Sequence, residues 1–219
     1  MNHTIIISKR ISIYIIGLFL LSLGATFSIL AGIGVSPVTS LPYALALTTP
    51  LSVGITTVLA NFVFIILQAI ILKEIRWKNF FIQLIISFLF GFFMDFTIWL
   101  TNGFPEATSI VLIIVYLAIS LIIIALALLL YFTANLPTMP YDSLTYVIAN
   151  TWKIPFSKAK ITSDMLNVVL SLVICLLFIQ SFGAIGIGTF IAAYGIGKMV
   201  GILLHKLQPS LKQWVYKNN

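Results

Sequence analysis

The chain has 219 residues, of which 61% are hydrophobic and 8% are charged, and its mean hydropathy is +1.16. This composition is typical of an integral membrane protein and excludes a water-soluble domain, because a chain of this length could not hide so much apolar surface from water. The formal net charge of +7 does not indicate nucleic acid binding, since the cations form short clusters at the ends of apolar runs.

Six apolar runs follow one another, each close to the ~20 residues that a helix needs to cross the hydrocarbon of a bilayer. They are 11–33, 52–72, 79–101, 108–134, 161–180 and 184–204. The first follows two cations, as a signal peptide does, but it is long, lacks an A-x-A cleavage site and precedes further spans. We therefore expect an all-α integral membrane protein with six transmembrane helices in a single membrane domain, residues 1–219.

The cations predict how these spans are oriented. Eleven of the twelve Lys and Arg residues lie in four clusters, whereas the connection 102–107 has none and carries Glu106. The clusters are Lys9 and Arg10; Lys73, Arg76 and Lys78; Lys153, Lys158 and Lys160; and Lys206, Lys212 and Lys217. The positive-inside rule makes the clusters and both termini cytoplasmic and 102–107 external.

Two polar segments that contain proline interrupt the apolar pattern. They read GIGVSPVTSLPYALA, residues 32–46, and LPTMPYDSLTYVIA, residues 136–149. Each provides about a dozen residues of helix, or roughly 17 Å, which is half a membrane. If residues 38–48 crossed fully, the basic connection 73–78 would be external. Re-entry keeps every basic cluster cytoplasmic, so we predict two half-membrane, re-entrant helices.

These two segments match each other at an offset of 103 residues. The matched pairs are Pro37 and Pro140, Ser40 and Ser143, Tyr43 and Tyr146 and, after a slip of two residues, Thr57 and Thr162. The match predicts a duplication, with repeat 1 over about 11–101 and repeat 2 over about 108–206. Because each unit contains three crossings, an odd number, the second repeat is expected to be inverted relative to the first.

The prolines give the breaks a physical reason. Pro37 and Pro140 each lack a backbone donor and keep the preceding residue out of helical geometry, so the incoming span ends there. The next helix then starts with free N–H groups and the positive end of its dipole at membrane depth. Many secondary transporters build a central site from inverted repeats with broken helices. The alternative is that both prolines mark ordinary loops followed by short surface helices.

Two charged residues lie inside predicted spans. Asp95 lies in FLFGFFMDFTIWL, and a carboxylate facing lipid there would cost at least ~2.5 kcal/mol, so it should point into the protein or be protonated. Lys198, in GIGKMVG, is the other candidate for charge coupling. The two could pair, but Lys198 is nearer the cytoplasm, from which its side chain could snorkel.

Further polar residues follow each half-helix. Asp142 opens the second one, where a carboxylate can cap the helix, and Asp164 shares a helix face with Asn167 three residues later. Such residues can simply bond one transmembrane helix to another. Their occurrence in both copies favours a shared polar cavity that binds substrate. Its expected lining is Pro37, Ser40, Tyr43, Thr57, Asn61, Asp142, Ser143, Tyr146, Thr162, Asp164 and Asn167.

The last span, GAIGIGTFIAAYGIGKMVG, has Gly197 and Gly201 four residues apart, a spacing that lets helices approach closely. It is the expected contact for a second copy or for a membrane partner. The sequence has no Walker loop, zinc-ligand cluster, nucleophile elbow or carboxylate pair at catalytic spacing. We therefore expect neither enzyme activity nor a bound cofactor or metal.

The paired signatures GVSPVTSLPYALA…PLSVGITTVLAN and LPTMPYDSLTYVIA…PFSKAKITSDMLN, with the closing GTFIAAYGIGKMVG, resemble the YczE/YyaS/YitT group of bacterial integral membrane proteins. The second copy departs from the pattern, with TMP in place of VSP and FSKAK in place of LSVGI. The resemblance implies a helical protein of the bacterial plasma membrane. It transfers no substrate and no site residue.

The sequence thus favours a transporter or permease for a small solute or ion, with its site near mid-membrane between the two half-helices. One alternative is an accessory or scaffold protein that does not transport and docks through its last span. Another is the substrate-binding subunit of a larger importer.

Overall fold

The computed structural model describes residues 2–74 and 77–216, and all regular secondary structure in these ranges is helical. The helices are α1 (Asn2–Leu30), α2 (Pro37–Thr48), α3 (Val53–Leu72), α4 (Trp77–Leu100), α5 (Ile110–Ala134), α6 (Pro140–Thr151), α7 (Phe156–Ile179), α8 (Ile187–Lys206) and α9 (Gln208–Tyr216). In the described ranges, six of them are long and apolar enough to cross a membrane. Helices suit this environment because they satisfy their backbone hydrogen bonds internally. The predicted all-α, six-span membrane architecture is confirmed at this level.

The six long helices correspond one to one with the six apolar runs. Local signals fix several of their ends: the Ser52 hydroxyl accepts from Ile55 N at the start of α3, and the Ser109 hydroxyl accepts from Leu112 N at the start of α5. The sequence analysis missed α9, because this short helix is too polar to register as an apolar run. It packs on α1, α5 and α8 through the buried Val215.

Helices α1 and α5 form the centre of the bundle. They run antiparallel, because Arg10 near the start of α1 reaches Ala134 at the end of α5, whereas Phe27 near the end of α1 contacts Tyr116. Gly24 lets the two backbones approach, and its carbonyl accepts a hydrogen bond from the buried Ser120 hydroxyl at 2.8 Å. Close packing at small residues is the usual means by which helices associate within a bilayer.

The two short helices, α2 and α6, have twelve residues each and begin at the two prolines that the sequence singled out. Helix α2 packs on α7, and α6 packs on both α3 and α7. The interpretation of Asp142 as the cap of α6 was wrong. Met139, not Asp142, is the N-cap of α6, and it makes no side-chain capping bond. Proline at the first helical position leaves one fewer N–H to cap.

The short helices run in opposite directions. Pro37 and Ser40 of α2 contact Asn167 and Ser171 of α7 in the same order along both helices, so α2 runs parallel to α7. In α6, Tyr141 contacts Asp164 and Tyr146 contacts Phe156, so α6 runs antiparallel to the same helix. Their first residues therefore lie close together along α7, beside Asn167 and Asp164.

One end of the bundle is rich in cations. The Lys9 ammonium donates to the Trp214 carbonyl in α9, and the Arg10 guanidinium donates to the carbonyls of Ala134 and Asn135. We call this the basic end. It contains the start of α1, the connections from α3 to α4 and from α6 to α7, and α9. Arg76 and Lys217, which belong to the predicted basic clusters, lie outside the described residues.

Candidate functional site

The starts of the two short helices meet at the middle of α7. The Asn167 side-chain amide donates to the Pro37 carbonyl at 3.5 Å, and the Tyr141 hydroxyl donates to the Asp164 carboxylate. Asn167 is the twelfth of the 24 residues of α7, and Asp164 precedes it by three. We call this region the junction, defined as Pro37, Ser40, Tyr141, Asp142, Lys160, Asp164, Asn167 and Ser171.

On the α2 side, the junction consists of buried neutral polar groups. The Ser40 hydroxyl donates to the Pro37 carbonyl at 2.8 Å, and the Ser171 hydroxyl lies 3.0 Å from the Ser40 oxygen and 2.6 Å from the Asn167 carbonyl. Ser40 and Ser171 are completely buried. Buried polar groups are costly unless they are bonded, so these contacts hold α2 firmly against α7.

On the α6 side, the junction carries charge. The Lys160 ammonium lies 3.6 Å from Asp142 and 3.1 Å from Asp164, and 4.2 Å from the centre of the Tyr141 ring. These three charged side chains are each at least partly buried, and two carboxylates share one ammonium. This arrangement ties α6 to α7, and when both carboxylates are ionised it holds one negative charge in excess, which can attract a cation or a proton.

A second polar cluster, which we call the carboxamide cluster, consists of Gln68, Gln83, Ser143 and the Pro140 carbonyl. The two glutamines donate to each other at 2.9 and 3.1 Å, and Gln68 also donates to the Pro140 carbonyl at 3.1 Å. The Ser143 hydroxyl donates to the Gln68 oxygen at 2.9 Å. The cluster forms one wall of a cavity of about 140 Å³.

Both proline carbonyls are thus bound by an amide from the other predicted repeat. Asn167, in repeat 2, donates to Pro37 in repeat 1, and Gln68, in repeat 1, donates to Pro140 in repeat 2. A backbone carbonyl has two lone pairs, so each proline carbonyl can accept this amide in addition to a backbone bond of its own helix.

The other predicted lining residues are more scattered. Tyr43 is half-buried among apolar residues, and Tyr146 stacks on Phe156 with ring centres 4.3 Å apart and lines the cavity. The Thr57 hydroxyl donates within α3, to Val53. Thr162 is exposed and also bonds within its own helix, so the structure does not bring it to the junction.

Asn61 is an exception to the pairing of buried polar groups. It is 3% exposed, and its side-chain nitrogen has no hydrogen-bond partner among the described residues. An unsatisfied buried amide costs about 1–3 kcal/mol. Asn61 therefore lies where an additional acceptor would stabilise the protein.

Asp95 and Lys198, the candidates for charge coupling, are not joined in an ion pair within the described structure. The Asp95 carboxylate accepts from the Ser52 hydroxyl at 2.6 Å and from Gly54 N at 2.7 Å, which stabilises the start of α3. Lys198 is exposed, with its ammonium 5.8 Å from the Tyr194 ring centre. Asp95 thus points into the protein as expected, and Lys198 lies on the surface of α8.

The chain matches, over residues 8–205, a protein family described as "Family of unknown function (DUF6198)". The chain belongs to this family. It is also 28% identical over 206 residues to the "Uncharacterized protein YyaS" of Bacillus subtilis (strain 168), an alignment that covers 94% of this chain and 96% of that protein. These similarities confirm the resemblance to a YyaS-type family. No solved structure matches the chain.

The part of the chain that matches DUF6198 contains the junction and the carboxamide cluster, whereas α9 follows it. Several of the residues that build these two clusters were missed by the sequence analysis. They are Gln68, Gln83, Tyr141, Lys160 and Ser171. A signal for the glutamines was available, because an amide side chain inside a long apolar run needs a partner.

Proposed function

We propose that this DUF6198 protein is a transporter or permease for a small solute, which passes between the starts of the two short helices. The observation that carries the proposal is the junction, where two helices of opposite direction both begin against the middle of α7. Two helix N-termini direct partial positive charge and unpaired N–H groups into one region. Broken helices of this kind provide the central site in many secondary transporters.

We further propose that the chain is an inverted duplication in which α2 and α6 are re-entrant. Their equal lengths and their opposite directions support this. So does the exchange of partners, because α2 packs on α7 of the second repeat and α6 packs on α3 of the first. In this proposal α2 enters from the external side and α6 from the basic end.

The charged part of the junction is the proposed coupling site. Asp142 and Asp164 share Lys160, so a proton or a cation can take up the excess negative charge while solute binds nearby. The protein is proposed to act in the bacterial plasma membrane, without enzyme activity, cofactor or metal. Its basic end, with both termini, faces the cytoplasm.

This orientation predicts a labelling pattern. In Lys78→Cys and Lys158→Cys the new thiols should be protected from a membrane-impermeant maleimide in intact cells, whereas Phe104→Cys should be labelled. The unmodified protein is the background control, because its Cys175 is buried. External labelling at both Lys78→Cys and Lys158→Cys would reverse the orientation, and external labelling at Lys78→Cys with Lys158→Cys still protected would contradict the inverted repeat.

Transport itself can be tested without knowing the substrate. Proteoliposomes are exposed to a panel of small neutral solutes, and their re-swelling is followed by stopped-flow light scattering, with an internal pH dye read in parallel. At least one solute should enter faster than into empty liposomes. Asn167→Leu should slow this entry several-fold, because it removes the donor to Pro37 at the junction. Asn102→Leu, in the exposed connection, is the matched control.

One observation favours an accessory role instead. A Cβ added at Gly197 or Gly201 would meet no atom within 4 Å in the described part of the chain, so this face of α8 is open to a second copy or to another membrane protein. The same proteoliposomes separate the two functions. If no solute enters faster than into empty vesicles, and Asn167→Leu changes nothing, the accessory role replaces transport.

A further inference from the structure

The Gln68 side-chain nitrogen has more acceptors within reach than it has hydrogens. It carries two hydrogens but lies within bonding distance of three oxygens, those of Phe64 at 3.3 Å, Gln83 at 2.9 Å and Pro140 at 3.1 Å. Gln68 can therefore exchange hydrogens among these oxygens, and the backbone carbonyls of Phe64 and Pro140 each have a second lone pair for another donor.

The side-chain amides of the two glutamines form two reciprocal hydrogen bonds, in which each nitrogen donates to the other's oxygen. A ligand that presents a donor and an acceptor side by side can replace one partner and keep the same bonds. Both glutamines are 6% exposed, so little solvent competes for these bonds. The cluster is thus a preformed receptor for an amide-like group.

The cavity beside the cluster sets limits on size and charge. Its volume of about 140 Å³ leaves space for several waters, or for a solute of about four to six heavy atoms. Its polar wall consists of the glutamines and Ser143, with Asn79 and Asn150 exposed farther out. Glu74, the one charged residue among the described residues of the lining, already has an interaction of its own. Neutral amides and hydroxyls suit a neutral solute better than an ion.

Asn61 is a second buried amide on the same helix, outside the lining of this cavity. It lies seven residues before Gln68 on α3, close to two helical turns, so the two side chains share a face and are separated by about 10 Å along the helix. The nitrogen of Asn61 has no acceptor among the described residues. A carbonyl oxygen is the group that would satisfy it.

We infer that the carboxamide cluster binds a small neutral solute carrying a carboxamide or urea-type group, which takes the place of Gln68 in its pair with Gln83. This inference rests on the proposed transport function only for the solute's passage; binding is a separate property. The solute enters from the basic end, where Asn79 and Asn150 are exposed. Its carbonyl accepts from the Gln83 nitrogen and from the Ser143 hydroxyl, and its N–H donates to the Gln83 oxygen.

The experiment compares three probes of nearly equal size with the full-length protein in nanodiscs. Acetamide has the donor and the acceptor, acetone lacks the donor, and acetate is charged. Saturation-transfer NMR, which detects weak binding, should show that acetamide binds about tenfold more tightly than acetone or acetate. Acetone loses one hydrogen bond and acetate must desolvate a charge, and either cost is enough for a tenfold ratio.

Two variants of the cluster and one control test whether acetamide binds at this site. Gln83→Leu removes the paired amide and should weaken acetamide binding about tenfold. Ser143→Ala removes a single hydroxyl, a milder change that keeps the test valid should Gln83→Leu not fold, and it should weaken binding measurably. Gln213→Leu, on the exposed surface of α9, is the matched control and should bind acetamide as the unmodified protein does.

Equal binding of acetamide and acetone, or acetamide binding that neither cluster variant weakens, would overturn the inference. Transport is read separately in the proteoliposomes. Acetamide binding without entry of any solute supports the site but removes the transport function. Entry of another solute, with no acetamide binding, supports transport but removes this solute class.

Discussion

Gly34→Ala is expected to lower the free energy of unfolding by about 3 kcal/mol or more, the largest loss of stability among the predictions made for this protein. Gly34 has φ +102°, a conformation that L residues rarely adopt, and a Cβ there would lie 2.4 Å from Gly186 N and 2.6 Å from the Thr189 hydroxyl. The break between α1 and α2 packs here on the start of α8, where Gly188 N donates to the Ile33 carbonyl. Both backbones would have to separate.

Alanine variants at two other glycines separate the two causes of this loss of stability, which are backbone strain and steric overlap. Gly32 also has a positive φ, +68°, but a Cβ there meets nothing within 4 Å, so Gly32→Ala isolates the backbone strain, about 1 kcal/mol. Gly103 has neither feature, and its alanine variant should be nearly neutral. Unfolding by SDS titration, followed by circular dichroism, measures all three. Equal losses at Gly32 and Gly34 would contradict close packing at this break.

Asp164→Asn is expected to have the largest effect on function. The substitution keeps the size of the side chain and an oxygen that can accept from Tyr141, but removes the charge that faces Lys160. The junction then has one carboxylate for one ammonium and no excess negative charge. If a proton or a cation is coupled to transport here, flux in proteoliposomes should fall about tenfold or more, and its dependence on pH should change.

The control for this variant is Glu106→Gln, which makes the same chemical change in the exposed connection between α4 and α5. It should alter neither flux nor its pH profile. Because the side chains of Asp164 and Lys160 are 25% and 27% exposed, the loss of one ion pair should cost only about 1 kcal/mol of stability. An unchanged flux and pH profile in Asp164→Asn would leave Asp142 and Asp95 as the acidic candidates.

The sequence was sufficient for features that depend on short-range chemistry. Hydropathy located all six long helices, because crossing hydrocarbon imposes a length and a composition on each of them. Pro37 and Pro140 located the starts of the short helices to within one residue, because proline removes a donor and restricts its predecessor whatever the surroundings. Asp95 was expected to point inward because of the cost of a charge in lipid, and it does.

The hydrogen-bond and ion-pair partners of the polar side chains could not be predicted from hydropathy or proline positions. Gln68 and Gln83 pair across the connection between α3 and α4, and Ser40 meets Ser171 from a position 131 residues away in the chain. Asp142 was interpreted as a local cap, but the structure brings it to Lys160, 18 positions later. Thr162 belonged to the predicted cavity by repeat position and lies on the exposed face of α7.

The sequence by itself therefore determined that this is a membrane protein, where its long helices lie and where its chain breaks. Hydropathy and proline act on the residues nearest to them, so these properties can be read locally. Only the tertiary structure decided that both short helices begin at the middle of α7, that Lys160 lies between two carboxylates and that two glutamines face a cavity. Each of these depends on how helices distant in sequence rotate and pack, because one helical turn separates a side chain that faces lipid from one that faces a partner.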